Sequence, residues 1–485
     1  MHRSLRLALM AALALSACDS TTEGDGGVDG GAEPDAGPQT PDSGPPTPDA
    51  GPPRDAGPSC TEGCEFVELA LGQDHTCARR ANGEVWCWGG NQEGQLGDNR
   101  MRHDDCAPGG VGERIDCSAV PVQVRVGAAA FLQDATQIAS DGGYGTCALR
   151  ESGEVWCWGL EPIERERGGN RQRRFVAQRI EDFGGVTQVT GWEPTCLLRE
   201  TGDVVCYGIN GAGELGVGDQ VEIRLPDDAR PVMGLTGAVE VATWGHFGGV
   251  ACARTADAVY CWGSDREGQV GDGEPPVGEP VESCMTGGTP PMSFHCSKTA
   301  SQVIGDGDAP LTDVAQLTVG STHVCALRSG TEAETVDCWG DNRAGQLGQP
   351  ADITNHIRAT QVTDLLGVAE VDAGGRFTCA RMTDGTIQCW GFNHNGQLGD
   401  GVDDHDTSSL DPVCNVPPSV VGDCSHAPVE VSGIDDAVEL GTGGSHACVI
   451  RESGEIWCWG YNNTNQLGDG SRETSYTPTR VLGLP

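Results

Sequence analysis

Apolar and polar side chains alternate on both sides of a short turn through Cys77-Ala78-Arg79-Arg80-Ala81-Asn82-Gly83-Glu84-Val85-Trp86-Cys87, and the pattern returns six more times. A period of two broken by a Gly-ended turn predicts a β-hairpin rather than a helix. The fullest copies open on His75-Thr76-Cys77 and His446-Ala447-Cys448 and close on Trp86-Cys87-Trp88-Gly89 and Trp457-Cys458-Trp459-Gly460. With a three-residue turn, Cys77 falls opposite Cys87, within reach of a disulfide. The same reasoning pairs Cys147 with Cys157, Cys196 with Cys206, Cys252 with Cys261, Cys325 with Cys338, Cys379 with Cys389 and Cys448 with Cys458. The fourth copy is one residue shorter, which a two-residue turn at Ala256-Asp257 absorbs. The fifth is three residues longer, with the extra residues around Thr331 to Thr335.

Each hairpin is usually followed by a segment like Gly94-Gln95-Leu96-Gly97-Asp98, with versions at Gly213, Gly268, Gly345, Gly396 and Asn465, and then by a Pro-led strand such as Pro121-Val122-Gln123-Val124 or Pro428-Val429-Glu430-Val431. These residues resemble the regulator-of-chromosome-condensation repeat family over about residues 65 to 485. The resemblance implies an all-β, seven-bladed β-propeller. The chain enters the repeat at Phe66-Val67-Glu68-Leu69-Ala70-Leu71 and leaves it at Thr479-Arg480-Val481-Leu482. That offset predicts one blade shared by the two ends of the repeat region, which would close the ring.

Ahead of the repeats, Arg3 and Arg6 precede an apolar run from Leu7 to Leu15, too short to span a bilayer and read as a signal peptide over residues 1–17. Leu15-Ser16-Ala17-Cys18 is similar to the lipobox of bacterial lipoproteins, which makes Cys18 the expected lipidation site and acyl chains the only membrane attachment. Residues 18–59 hold that cysteine and an acidic Gly/Pro-rich tether that cannot bury a core. The propeller is expected over 60–485. The expected location is the cell envelope, outer membrane or cell surface.

Composition narrows the functional classes. The formal charge is −41, which repels phosphate backbones and argues against nucleic acid as a partner. Of 23 cysteines, those outside Cys18 and the hairpins also fall into neighbouring pairs: Cys60/Cys64, Cys106/Cys117, Cys284/Cys296 and Cys414/Cys424. An even remainder in an exported chain reads as eleven disulfides rather than metal ligands or a reactive thiol, and no Cys-x-x-Cys spacing supports zinc. Three of these pairs sit in insertions at about Asn99–Ala119, Gly273–Ala309 and Gly401–Ala427, at equivalent points of the repeat and hence on one face. Stapled loops on a rigid scaffold favour recognition over simple spacing, the alternative being insertions that the surface tolerates without function.

The second copy lacks the Gly-Gln-Leu-Gly segment and carries Arg165, Arg167, Arg171, Arg173, Arg174 and Arg179 instead, a candidate site for an anionic ligand, or a set of partners for the chain's own acids. His75, His323 and His446 share one repeat position. The other copies hold Gly145, Pro194, Val250 and Phe377 there, so a structural hydrogen bond is expected rather than a metal ring. Asp403-Asp404-His405-Asp406 offers hard oxygens for Ca²⁺ without the spacing of an EF-hand. No nucleophile–base or phosphate-loop signature occurs, so no enzyme, metal or cofactor is expected. The expected function is a monomeric binding module for a protein or glycan. The resemblance also implies guanine nucleotide exchange and chromatin binding, and secreted bacterial propellers of this type clamp other proteins, a β-lactamase among them. A third reading is an envelope scaffold with no specific ligand.

Overall fold

A computed structural model of the chain describes residues 62–485 apart from 106–115, 141, 161–171, 181–182, 192, 224–227, 246–248, 275–282, 286–292, 306, 331–333, 350–353, 406–414, 417–419 and 422. Residues 1–61, on which the expected signal peptide, the expected lipidation site Cys18 and the expected tether fall, lie outside the described residues.

Seven antiparallel sheets of four or five strands, the blades, follow one another along the chain, and a separate two-stranded pair, Asn415–Val416 with Val420–Val421, lies between the third and outermost strands of the sixth. In blade 1 the strands run Phe66–Leu71, His75–Arg80, Val85–Gly90 and Asp116–Gln123; in blade 7 they run Ala437–Thr442, His446–Arg451, Ile456–Gly460 and Ser475–Arg480. The first strands of all seven blades touch their neighbours around the ring, Phe66–Leu71 lying against Ala437–Thr442, so these strands surround the axis. The hairpin turns follow the residue count. Arg80 N donates to Glu84 O across a three-residue loop, with Gly83 at φ +82° supplying the left-handed position, whereas Thr255 N donates to Ala258 O across Ala256-Asp257. Both place the cysteines opposite each other, Cys77 on Cys87 and Cys252 on Cys261.

The two ends of the repeat region meet as blade 1 against blade 7, but they share no sheet, which corrects the expectation of a common blade. Each Pro-led strand pairs back onto its own hairpin, Val122 opposite Cys87 and Thr479 opposite Cys458. The repeat boundary therefore falls before the innermost strand, and the last blade has no place for the first strand of the chain.

Side-chain fasteners close the ring instead, and they recur from joint to joint. The indole Nε1 of Trp88 donates to Gln466 O at 2.9 Å across the 7/1 joint. The same bond links Trp158 to Gln95, Trp262 to Glu214, Trp339 to Gln269, Trp390 to Gln346 and Trp459 to Gln397. Thus the Gly-Gln-Leu-Gly segment of one blade caps the tryptophan of the next, and Gly97 is needed because a Cβ there would lie 2.8 Å from the Trp158 ring. Each tryptophan also packs on the preceding blade's disulfide, as Trp158 does on Cys77 and Cys87 and Trp88 on Cys448 and Cys458. All fourteen hairpin cysteines are fully buried. The disulfides thus serve as core side chains in a protein with 5% aromatics.

A second set of fasteners lies near the axis. Glu68, Gln137, Gln188, Glu240, Gln316, Glu370 and Glu439 occupy one position in the seven innermost strands, each beside a bulge in the ladder. Five of these side chains accept from the backbone of the next blade's innermost strand: Ile138 N to Glu68, Val189 N to Gln137, Val241 N to Gln188, Leu317 N to Glu240 and Val371 N to Gln316. Three of the acids are neutralised within their own blade by Arg79, Arg254 and Arg381. Opposite the three glutamines the facing residue is Leu149, Leu198 or Leu327. A buried charge is paired, and a neutral amide needs no arginine.

Candidate functional site

Two kinds of loop emerge on one face: the turns after the innermost strands and the segments between the third and outermost strands. Hydrogen bonds tie them together, Gly90 N to Asp74 O, Phe392 N to Arg376 O and Tyr461 N to Ser445 O. Around the channel mouth the first-turn backbones touch, Gly375 N donating to Gly443 O and Gly444 N to Gly72 O. A Cβ on Gly443 would stand 2.6 Å from Gly72 O, so only glycine permits this approach. The strand ends that bound the three insertions lie on this face, Cys117 opposite Gly90, Cys296 opposite Ser264 and Cys424 opposite Phe392, and in blade 4 the stretch 273–309 proves to contain the outermost strand Ser293–Gln302, so the insertion there is shorter than the sequence suggests.

Two insertions stand on the same clasp. In blade 1, His103 Nε2 lies 2.9 Å from Asp98 and its Nδ1 3.3 Å from Asp116, while His103 N donates to Asp116 at 2.6 Å and Asn91 Nδ2 donates to the other Asp116 oxygen at 2.8 Å. In blade 6, His405 lies between Asp400 at 2.8 Å and Asp423 at 2.7 Å, with Asn393 in the place of Asn91. Burial opposes a charge on each imidazole, but the hydrogen bonds and negative charges of the two flanking carboxylates outweigh it, raising His103 to about 9 and His405 to about 10. Both are therefore imidazolium at neutral pH. The residue after each outer aspartate, Cys117 and Cys424, is disulfide-bonded. Blade 4 varies the arrangement, with His295 before Cys296 and 3.8 Å from Asp265.

The acidic run Asp403-Asp404-His405-Asp406, read above for Ca²⁺, thus places His405 in a clasp with Asp400 and Asp423, and Asp406 lies outside the described residues. No group of three metal-ligating side chains forms among the described residues. His75, His323 and His446 are fully buried, and each Nε2 meets a threonine of the next blade: Thr146 at 2.7 Å, Thr378 at 2.8 Å and Thr76 at 2.8 Å. Thr76 and Thr378 donate their hydroxyl protons to Gln466 O and Gln346 O, so Nε2 must carry the imidazole proton there. Burial holds the three rings neutral, near 3 for His75 and His446 and 4 for His323.

Eight disulfides lie among the described residues: the seven hairpin pairs, with Cα atoms 4.0–4.2 Å apart, and Cys284–Cys296 at 5.8 Å. The other three expected pairs, Cys60–Cys64, Cys106–Cys117 and Cys414–Cys424, each have their first cysteine outside the described residues. Their second cysteines, Cys64, Cys117 and Cys424, are disulfide-bonded. Of the arginine cluster, Arg165, Arg167 and Arg171 also lie outside the described residues. Arg173 forms a bidentate pair with Glu93 of blade 1, and Arg179 pairs with Glu154. At least these two are matched by the chain's own acids. The sequence reading missed the clasps and the axial Glu/Gln ring. The signal for the ring was present, since all seven copies place Glu or Gln two residues after the apolar residue that opens the innermost strand.

Models of the regulator of chromosome condensation (RCC1) repeat match residues 66–95, 135–161, 368–397 and 437–466, and a second model of the repeat matches 453–485. The chain carries RCC1 repeats. The matched segments fall in blades 1, 2, 6 and 7, and the shared sheet frame extends the architecture through blades 3 to 5. The chain is 26% identical over 279 residues to the human E3 ubiquitin-protein ligase HERC2, covering 56% of this chain and 5% of that protein. It is 27% identical over 290 residues to the ultraviolet-B receptor UVR8 of Arabidopsis thaliana, covering 59% of this chain and 55% of the receptor. The RCC1-repeat chain thus spans a small part of the ligase and about half of the receptor. Among solved structures, human WBSCR16 superposes with a TM-score of 0.61 at 20% identity, over 83% of this chain and 94% of that one. Prp20p of Saccharomyces cerevisiae gives 0.56 at 18%, over 78% and 80%. These likenesses bear on the fold.

Proposed function

We propose that this RCC1-repeat propeller is an exported, lipid-anchored interaction module that recognises a protein or glycan through the face bearing its insertions. The carrying observation is the pair of Asp–His–Asp clasps under the blade 1 and blade 6 loops. They fix the roots of two loops that the sequence also staples, and a loop held in place before binding loses less entropy when it binds. Export and anchoring rest on Leu15-Ser16-Ala17-Cys18 and on a disulfide framework that belongs in an oxidising compartment. Capture of envelope proteins by the full chain, compared with chains in which 106–115, 275–292 or 406–422 is replaced by a short turn and any cysteine left without its partner is changed to serine, tests this reading while keeping the outermost strands and the clasps. Loss of a captured partner on loop replacement supports it, and an unchanged set overturns the assignment to this face.

Prp20p is described as binding Gsp1p and histones. The second reading for this chain, guanine nucleotide exchange on a small GTPase as the family resemblance implies, is tested by an exchange assay, in which clear nucleotide release would displace the proposal above.

A further inference from the structure

Aromatic side chains are scarce on this molecule, yet three rings gather on the insertion face where blades 6 and 7 meet, and a fourth stands on the neighbouring strand. Phe392 and His394 face each other with centroids 6.0 Å apart. Tyr476, in the outermost strand of blade 7, reaches across the joint and donates its hydroxyl to His394 O at 3.1 Å. Tyr461 stands beside the strand that carries Tyr476, since the preceding Gly460 pairs with Ser475, and its hydroxyl accepts from Asn463 Nδ2 at 2.5 Å. Asp403 stands close enough that its charge, after burial, helps raise the Tyr476 phenol above its ordinary value. Phe392, Tyr461 and Tyr476 are half-buried, and His394, Asn463 and Asp403 are exposed. The arrangement is particular to this joint: in the other five blades the position of Phe392 and Tyr461 holds Gly90, Leu160, Ile209, Ser264 or Asp341.

We propose that this aromatic group binds a neutral saccharide, pyranose rings lying on the aromatic faces and their hydroxyls bonding to the Asn463 amide and the Asp403 carboxylate. The rims of a pyranose are hydroxyls and its faces are C–H groups, which suits half-exposed rings that combine an apolar body with a polar edge. The charge of −41 disfavours uronate-rich or sulfated chains, which leaves neutral glycans as the favoured class. The proposal rests on the reading of this face as the binding face and names one ligand class for it.

Calorimetric titration of the full chain with three neutral hexasaccharides, β-1,4-linked glucose, α-1,4-linked glucose and β-1,4-linked N-acetylglucosamine, tests it. Saturable binding of at least one is expected, weakened at least tenfold in Tyr461→Ala and severalfold in Asn463→Ala. Asn463 is exposed and can be changed without opening the core, and Tyr476→Phe keeps the ring while removing its bond to His394. Absence of binding to all three sugars, or binding indifferent to both Tyr461→Ala and Asn463→Ala, overturns the proposal. Envelope partners still captured by Tyr461→Ala but lost on loop replacement would show that the saccharide site fails while the broader reading stands.

Discussion

The joint between blades 7 and 1 closes the ring, and the joint between blades 2 and 3 lies well inside the chain, yet the closing joint is the better fastened. At 7/1, Gln466 O accepts both the Trp88 indole and the Thr76 hydroxyl, His446 bonds to Thr76, and Gly444 N reaches Gly72 O. At 2/3, the Gly-Gln-Leu-Gly segment is missing from blade 2, the capped tryptophan of blade 3 is Tyr207, and Gly145 stands in the histidine's place. The two departures are halves of one contact, so losing the cap and losing the indole go together. Joint 2/3 relies instead on Gln137, whose amide exchanges two 3.0 Å bonds with Val189, and on an apolar cluster that runs from blade 2 into blade 4. Ring closure thus needs no shared strand, because the fasteners work equally between neighbours in sequence and between the two ends.

The largest test of this contrast is Trp88→Ala. It removes a fully buried indole, its bond to Gln466 and its packing on the Cys448–Cys458 bridge, and should cost about 3–5 kcal/mol in denaturant unfolding. Tyr207→Phe at the weaker joint should cost about 1 kcal/mol or less. Next comes Cys379→Ala with Cys389→Ala. Opening this short loop should cost about 2–3 kcal/mol by loop entropy, with further loss because the bridge is part of the core around Trp459.

A smaller effect belongs to the histidines. Where a blade carries His, the next carries Thr; where it carries Phe377 the next has Ala447, and Val250 is followed by Val324. His446→Phe alone should lose about 1–2 kcal/mol, through the missing bond and the crowding of Thr76. Adding Thr76→Ala should recover part of that loss by copying the Phe377–Ala447 joint. A double-mutant cycle with no coupling would sink the pairing.

The pH response should divide the molecule along the same line. His103 and His405 have folded values of about 9 and 10 against an ordinary 6.5, so their stabilisation is complete below 6.5 and is lost as pH rises through 9 to 10. Limited proteolysis of the blade 1 and blade 6 loops should accelerate there. His75, His323 and His446 have folded values of about 3 to 4, so their contribution is present above 6.5 and is lost as pH falls toward 3 to 4. Joints 1/2, 5/6 and 7/1 should weaken with acid, whereas 2/3, with Gly145, should show no histidine step.

What was legible in the sequence follows from where the physics is local. Turn length fixed the Cys77–Cys87 register because a hairpin is decided by its own residues, and the shortened copy at Cys252–Cys261 obeyed the same count. The joints were opaque because their meaning lies between copies: Gln95 has its role only once Trp158 stands over it, and the pairing of histidine with threonine appears only when each copy is aligned with the next. The clasps were hidden for a similar reason. Asp423 lies 18 residues beyond His405, across an insertion whose path the sequence does not reveal. The shared blade was misjudged because the repeat is periodic, so any residue could be taken as its start. Pairing of the Pro-led strand with its own hairpin decides the boundary.

Native-state hydrogen exchange followed by mass spectrometry tests the central claim most directly, that side-chain fasteners rather than a common sheet hold the ring. The strands Phe66–Leu71 and Ala437–Thr442 at the closing joint should exchange more slowly than Val186–Val189 at joint 2/3, and Trp88→Ala should reverse that order. Fastest exchange at the closing joint in the unaltered chain would contradict the account.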